Sequence, residues 1–214
     1  MTQAAALVSC KLLTSRDQYQ TCHVIVPDLA HPLAAIRLGD RCYSLFQTLT
    51  ESERVLKVLI KLHQRGDEVI VTKTSKGYTL WVWEPEASLK TAPAAKSTLA
   101  PPASFKVLVT PEQFPFWTVQ VPDLSQSLQA IEVAGQYYSL FRLETDVDRL
   151  FDIVAKITDR GDVTIVFAAS QGYAVCVLEP DAQPIQRVSP TAFFQTNTQP
   201  SNPQSFRTPS FAIA

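Results

Sequence analysis

The sequence predicts an α+β fold built from two copies of one β-rich module, and three observations support this. Aligned with itself at an offset of 95 positions, the chain places residues 9–87 on residues 104–182 without a gap, with 31 identities among 79 pairs. Each copy contains one segment with helical spacing of apolar residues. The remainder of each copy consists of short β-prone runs between turn signals. We expect about six mostly antiparallel strands and one helix per copy, and a pseudo-twofold packing of the copies.

Three blocks of sequence recur at matched positions: VPDL at 26–29 and 121–124, YSLF at 43–46 and 138–141, and RGD at 65–67 and 160–162. Insertions accumulate most readily in surface loops, so a gap-free match across a whole module implies the same fold twice. The chain therefore divides into an N-terminal extension (1–8), copy 1 (9–87), an Ala/Pro-rich linker (88–103), copy 2 (104–182) and a C-terminal tail (183–214).

The predicted strands of the first copy are residues 10–15, 21–27, 34–38, 41–48, 67–74 and 77–84, and the same ranges recur 95 residues later. Between the fourth and fifth strands, Thr50 with Glu53 predicts a capping box at the start of a helix, as does Thr145 with Asp148 in the second copy. Glycine predicts the end of each helix within RGD, so this triplet is interpreted as a helix end and not as an adhesion motif.

The last predicted strand of the first copy is apolar on both faces. Tyr78, Leu80 and Val82 alternate there with Trp81 and Trp83. One helix covers one face of a sheet, so the other face must meet the second module, close into a barrel or await a partner. We expect the two modules to cover it by packing together with pseudo-twofold symmetry.

The tail from residue 183 is rich in Pro, Ser, Gln, Thr and Asn and lacks acidic residues, which predicts disorder in isolation. Four phenylalanines, Phe193, Phe194, Phe206 and Phe211, interrupt it and give it anchors for docking.

Composition and charge exclude several classes of protein. The chain has 214 residues, of which 46% are hydrophobic and 18% charged, with a formal net charge of −1. It lacks a secretory signal pattern and any long apolar run, and its cysteines form no regular framework, so we expect a cytoplasmic protein without membrane insertion. Copy 1 has ten Lys and Arg against nine Asp and Glu, net +1, and copy 2 has five against eleven, net −6. This balance does not favour nucleic-acid binding.

Candidate catalytic and metal-binding residues have simpler structural interpretations. Cys10, Cys22, Cys42 and Cys176 correspond to aromatic residues in the other copy, as expected of buried packing positions. His23, His31 and His63 have no histidine counterparts, and no phosphate-binding glycine motif is present. Asp28, Asp123, Glu84 and Glu179 fit turn positions beside proline. We therefore expect neither cofactor nor metal.

The differences between the copies point to function. Copy 2 carries Phe114-Pro115-Phe116-Trp117 where copy 1 carries Tyr19-Gln20-Thr21-Cys22, and burial in an enlarged core is the favoured interpretation of these rings. We expect a non-catalytic, two-module interaction protein, such as an assembly factor, adaptor or regulatory subunit, with a tethering tail. The alternative is a small-molecule sensor or enzyme with a ligand site between the modules. The candidate partner-binding residues are Trp81, Trp83, Phe114, Phe116, Trp117, Phe193, Phe194, Phe206 and Phe211.

Overall fold

The computed structural model describes residues 7–27, 29–90 and 99–195. The first half contains strands β1 (Leu7–Leu13), β2 (Gln20–Ile25), β3 (Leu33–Leu38), β4 (Arg41–Leu49), β5 (Val69–Thr74), β6 (Gly77–Trp83) and β7 (Ser88–Leu89), with helix α1 (Ser52–Gln64) between β4 and β5. The second half contains β8 (Ala103–Leu108), β9 (Phe116–Gln120), β10 (Leu128–Val133), β11 (Gln136–Glu144), β12 (Thr164–Ala169), β13 (Gly172–Glu179) and β14 (Gln183–Val188), with α2 (Val147–Thr158) and α3 (Pro190–Gln195). Short 3₁₀ turns at Arg16–Gln18 and Pro111–Gln113 occupy matched positions.

All fourteen strands belong to one mixed sheet. Its order is β14, β9, β10, β11, β13, β12, β8, β1, β5, β6, β4, β3, β2, β7. Adjacent strands are antiparallel except in the pairs β1–β5 and β8–β12, which are parallel. The α+β class is confirmed, and the two halves show similar patterns of strands and helices.

The halves are joined edge to edge through β1 and β8, which pair antiparallel over six residues each. Cys10 lies opposite Phe105, the residue 95 positions later. The expectation that the second module would cover the Trp81 and Trp83 face of β6 is therefore wrong. The strand edges satisfy their backbone hydrogen bonds by pairing, and this joins the halves without stacking the sheet faces.

Helices α1 and α2 lie on the same face of the sheet and share one core. This core contains apolar residues of both helices and of the central strands. The centroid of the Phe151 ring in α2 lies 5.2 Å from the centroid of the Tyr78 ring of the first half and 6.3 Å from that of Phe105. Because Phe151 contacts residues from both halves, burial on the helix side holds the halves together.

The opposite face carries a separate small core in each half. In the first half it is formed by Leu13, Tyr19, Ile36, Tyr43 and Ile70, with Leu38 and Trp81 packed against it. The corresponding core of the second half also includes the fully buried Phe193, which α3 supplies.

The helix ends differ in one detail from the prediction. The N-caps are Glu51 and Asp146, one residue after the predicted Thr50 and Thr145. The Asp146 carboxylate accepts hydrogen bonds from the amides of Asp148 and Arg149, as an N-cap side chain does. At the other end, the interpretation of RGD as a helix end is confirmed, because Gly66 has a φ of 92° and its amide donates to His63.

Two predicted boundaries change. β7 lies within the predicted linker, and β14 and α3 form the beginning of the tail, for which disorder in isolation or docking was expected. The reason is backbone pairing: β7 pairs with β2, and β14 pairs with the outer edge of β9. The rest of the tail, with Phe206 and Phe211, lies outside the described residues. No helix among the residues described is long and apolar enough to span a membrane.

Candidate functional site

The predicted partner-binding residues are distributed over several environments. Phe116 and Phe193 are buried, and their rings contact each other at a centroid distance of 4.7 Å. Phe194 is half-buried, and its ring lies 4.9 Å from Phe193. Phe114 packs at the margin of the same core. These four side chains therefore stabilise the second half, and burial removes Phe116 and Phe193 from any surface.

The three tryptophans are half-buried or exposed and have local partners. The Trp81 indole N–H donates to Thr72 Oγ1 at 2.9 Å. The Trp117 indole N–H donates to Glu132 Oε2 at 2.8 Å. Trp83 is 36% exposed and lies under the Arg41 guanidinium at 4.9 Å. The indole N–H groups of Trp81 and Trp117 are thus satisfied locally, and the Trp83 ring is stacked with a cation, as is typical of surface packing.

Two further apolar residues of each copy are exposed at matched positions in both halves. They were not among the predicted partner-binding residues. Phe46 is 47% exposed and Phe141 is 39% exposed. Leu29 is 47% exposed and Leu124 is 38% exposed. Phe46 and Phe141 come from the YSLF blocks, and Leu29 and Leu124 come from the VPDL blocks.

A β-bulge explains the exposure of the phenylalanines. The register between β4 and β6 shifts between Leu45 and Gln47, so Phe46 is the extra residue. The same shift occurs between β11 and β13 at Phe141. A bulge breaks the strict alternation of side chains and redirects the extra one. Tight turns expose the leucines, since the amides of Leu29 and Leu124 each close a turn at 3.0 Å.

In the first half the exposed surface is larger. Ile25 is 43% exposed and Leu45 is 44% exposed. We call Ile25, Leu29, Leu45 and Phe46 the first end patch. Ile25 ends β2, Leu29 lies in the loop before β3, and Leu45 and Phe46 lie in β4 beside the start of β3. In the second half the counterpart of Leu45 is only 9% exposed, so the second end patch consists of Leu124 and Phe141.

A partly buried hydrogen bond holds the strand that carries each exposed phenylalanine. Ser44 Oγ donates to Glu84 Oε1 at 2.6 Å, and Ser139 Oγ donates to Glu179 Oε1 at 2.7 Å. The serine of YSLF is thus bonded to the glutamate of EP in both halves. The turn interpretation of these glutamates missed this partner, although both residues recur in the matched blocks.

The first half also contains a charged cluster around Glu68, on the face away from the helices. Glu68 accepts from Tyr43 at 2.8 Å, from Lys11 at 3.2 Å and from Arg41 at 2.5 Å. Burial opposes ionisation of Glu68, but these hydrogen bonds and cations outweigh it and lower the pKa of the carboxyl. Burial, together with the bond to Glu68, raises the pKa of Tyr43.

The cysteines are free thiols with little nucleophilic character. Cys10, Cys42 and Cys176 are buried, which confirms their interpretation as packing residues, and Cys22 is half-buried. Burial raises the pKa of Cys10 and Cys176, and burial with the neighbouring Cys42 thiol raises the pKa of Cys22 to about 11. The thiols of Cys10, Cys22 and Cys176 therefore stay protonated at neutral pH and are poor nucleophiles.

The histidines are separated from one another. His23 and His31 are exposed, whereas His63 is partly buried and its Nε2 lies 2.6 Å from the Ser9 carbonyl oxygen. Burial lowers the pKa of His63, so the neutral ring donates its Nε2 proton. Within the described ranges, no group of three or more His, Cys, Asp or Glu side chains is placed to hold a metal ion.

Comparison with known proteins identifies no relative from which a role can be transferred: no protein-family model, no curated protein and no solved structure matches this chain.

Proposed function

We propose that this protein is a non-catalytic, two-module interaction protein, an assembly factor, adaptor or regulatory subunit, that binds a partner protein through its two end patches. The repeated exposure of Phe46 and Phe141 is the observation that carries this proposal. Single exposed apolar residues are ordinary on protein surfaces. Here the same aromatic residue is redirected outward by the same bulge in two halves that differ at 48 of 79 matched positions, since 79 − 31 = 48.

The relation between the halves supports two-site binding. The strand order is the same from either end of the sheet once each strand is matched to its counterpart. Cys10 faces its own counterpart, Phe105, at the centre. We take this as a pseudo-twofold arrangement that arose by tandem duplication. Such an axis places the two end patches in equivalent positions on opposite halves, so they suit a partner with two copies of one apolar motif.

The first end patch is larger than the second, so the two halves differ as binding surfaces. Copy 1 has a net charge of +1 and copy 2 of −6, so the surfaces around the two patches differ in electrostatic potential. We expect the first patch to contribute most of the affinity and the second to add avidity. The tethering role of the tail beyond residue 195 stays a prediction. The free cysteines suit the reducing cytoplasm.

The alternative, a ligand site between the modules, gains little support on the helix side. There the join is filled by the rings of Phe151, Tyr78 and Phe105, and the Tyr78 hydroxyl is already bonded to Asp148 across it.

Affinity capture with the full-length protein tests the proposal. Wild-type protein is compared with Phe46→Ser, Phe141→Ser and the double variant, and Val163→Ser serves as a control because Val163 is 39% exposed elsewhere. We expect one protein to be enriched by the wild type and by the control. Each single variant should weaken its capture, and the double variant should abolish it because avidity is lost.

Thermal unfolding by circular dichroism shows whether each variant is folded before capture is compared. Equal recovery of the enriched protein by the folded double variant, or enrichment of nothing by the wild type, would contradict the proposal.

A further inference from the structure

Four polar residues surround the centre of the sheet on the face away from the helices. Ser9 lies opposite Lys106, and Lys11 lies opposite Ser104, in the two rows of the β1–β8 ladder that flank the Cys10–Phe105 row. Val8, Cys10 and Leu12 alternate with them and belong to the core under the helices. We call Ser9, Lys11, Ser104 and Lys106 the central quartet. It surrounds the position at which Cys10 meets Phe105.

The central quartet is identical in the two halves. Ser9 matches Ser104, and Lys11 matches Lys106. Both serines are exposed and both lysines are half-buried. Polar surface positions of this kind tolerate substitution for stability alone, because surface changes seldom alter it by more than about 0.5 kcal/mol. Folding therefore does not explain why all four are the same.

The quartet has an excess of positive charge. Lys11 bonds to Glu68, but Glu68 also bonds to Arg41, and Val163 stands in the second half where Glu68 stands in the first. No carboxylate in the described part of the chain forms an ion pair with Lys106. The three cations Lys11, Arg41 and Lys106, set against the one carboxylate of Glu68, leave a net charge of +2 around the quartet.

The backbone of the quartet is held from the helix ends. His63 bonds to the Ser9 carbonyl at 2.6 Å, and Thr158, the counterpart of His63, donates to the Ser104 carbonyl at 3.3 Å. Both bonds fix the strand positions from which the serine and lysine side chains extend. A site with a fixed backbone loses less entropy when a ligand binds.

We infer that the central quartet binds a phosphate group. Lys11 and Lys106 are diagonal neighbours across the ladder, and such neighbours have Cβ atoms about 7 Å apart, so both ammonium groups reach one tetrahedral anion. The short Ser9 and Ser104 side chains leave room for the anion and supply hydroxyl donors. This site lies at the centre of the sheet and does not depend on binding at the end patches.

Titration of the full-length protein tests the assignment. Inorganic phosphate and O-phosphoserine are added separately at constant ionic strength, with chloride as the balancing salt, and the amide signals of residues 9, 104 and 106 are followed by NMR. We expect saturable shifts with both phosphate compounds and none with chloride. Tighter binding of O-phosphoserine would identify a group carried by a partner, and equal binding would identify a free anion.

Matched variants give the expected signs. Lys106→Met and Lys11→Met should each weaken phosphate binding about tenfold, since each removes one charge-assisted contact. Glu68→Gln should strengthen it, because Lys11 no longer has a competing carboxylate. Lys57→Met is the control, as Lys57 is exposed on α1, on the other face of the sheet. Equal affinity in wild type and Lys106→Met, or shifts that chloride reproduces, would overturn the inference.

Discussion

Exchanging the two residues at the centre of the sheet tests the pseudo-twofold arrangement. Cys10 is 1% exposed and Phe105 is 3% exposed, and they face each other across the β1–β8 ladder on the helix side. Phe105→Cys removes most of a buried ring and should cost about 2–4 kcal/mol of unfolding free energy. Cys10→Phe places two rings where the core holds one and should cost about 1–3 kcal/mol.

The double variant exchanges the residues and keeps the total side-chain volume. The double variant still loses stability because the phenylalanine ring introduced at position 10 would pack against Leu56 of the first half. In the wild type the Phe105 ring packs against Phe151, which is the residue of the second half that matches Leu56. We expect the double variant to lose about 2 kcal/mol, against an additive loss of about 3–7 kcal/mol, so the coupling energy should be at least about 1 kcal/mol.

Urea unfolding followed by circular dichroism measures all four proteins, with the slope of the transition used to check that unfolding remains two-state. Additive losses within about 0.5 kcal/mol would refute the reasoning, because they would mean that the two positions do not share one space.

Two further predictions concern the same fold. Burial lowers the pKa of His63, so the unfolded chain takes up a proton near pH 6.5 before the folded one does, and stability should fall as pH drops below about 6.5. Replacing His63 with Thr, the residue at position 158, should flatten that dependence in urea midpoints measured from pH 5 to 8; an unchanged slope would exclude His63 as its source. Phe193→Ala should lower the unfolding free energy by about 3 kcal/mol, since its buried ring contacts Phe116, whereas the exposed Thr191→Ala should change it by less than about 0.5 kcal/mol. Equal effects of the two substitutions in α3 would show that this helix is not docked in solution.

The sequence was sufficient to predict the repeat, the α+β class and the two long helices, because apolar spacing and end signals are local properties. It was not sufficient to predict how the halves join. The halves could join by pairing the edges of β1 and β8 or by stacking their sheet faces. Either arrangement buries every second residue of β1, so the burial of Val8, Cys10 and Leu12 does not distinguish them. β14 was not predicted because Pro184 and the polar composition of this segment are unusual in a strand, and because its pairing partner β9 is remote in sequence.

The exposed phenylalanines were missed for a related reason. Alternation along YSLF assumes an unbroken ladder, and a bulge changes which face the next side chain reaches. Nothing in the residues around Phe46 marks the bulge, which is defined by the register with Leu80 and Trp81 of β6. Matched residues fit a fold-building role, so the predicted surface residues lay at positions that differ between the copies. Phe141 shows that an exposed position can also be shared.

The two halves complete the core on the face away from the helices in different ways. In the first half Trp81 extends from β6 over this core and donates its indole N–H to Thr72. In the second half the matched residues are Cys176 and Phe167, and the additional ring of Phe193 comes from α3. In the second half, the small Cys176 in the strand thus accompanies a docked helix. The rings of Phe167 and Phe193 and the small Cys176 side chain belong to one core, and close packing requires its volume to be filled. Among the described residues, the second half thus carries a docked C-terminal helix, and the first half carries the larger end patch.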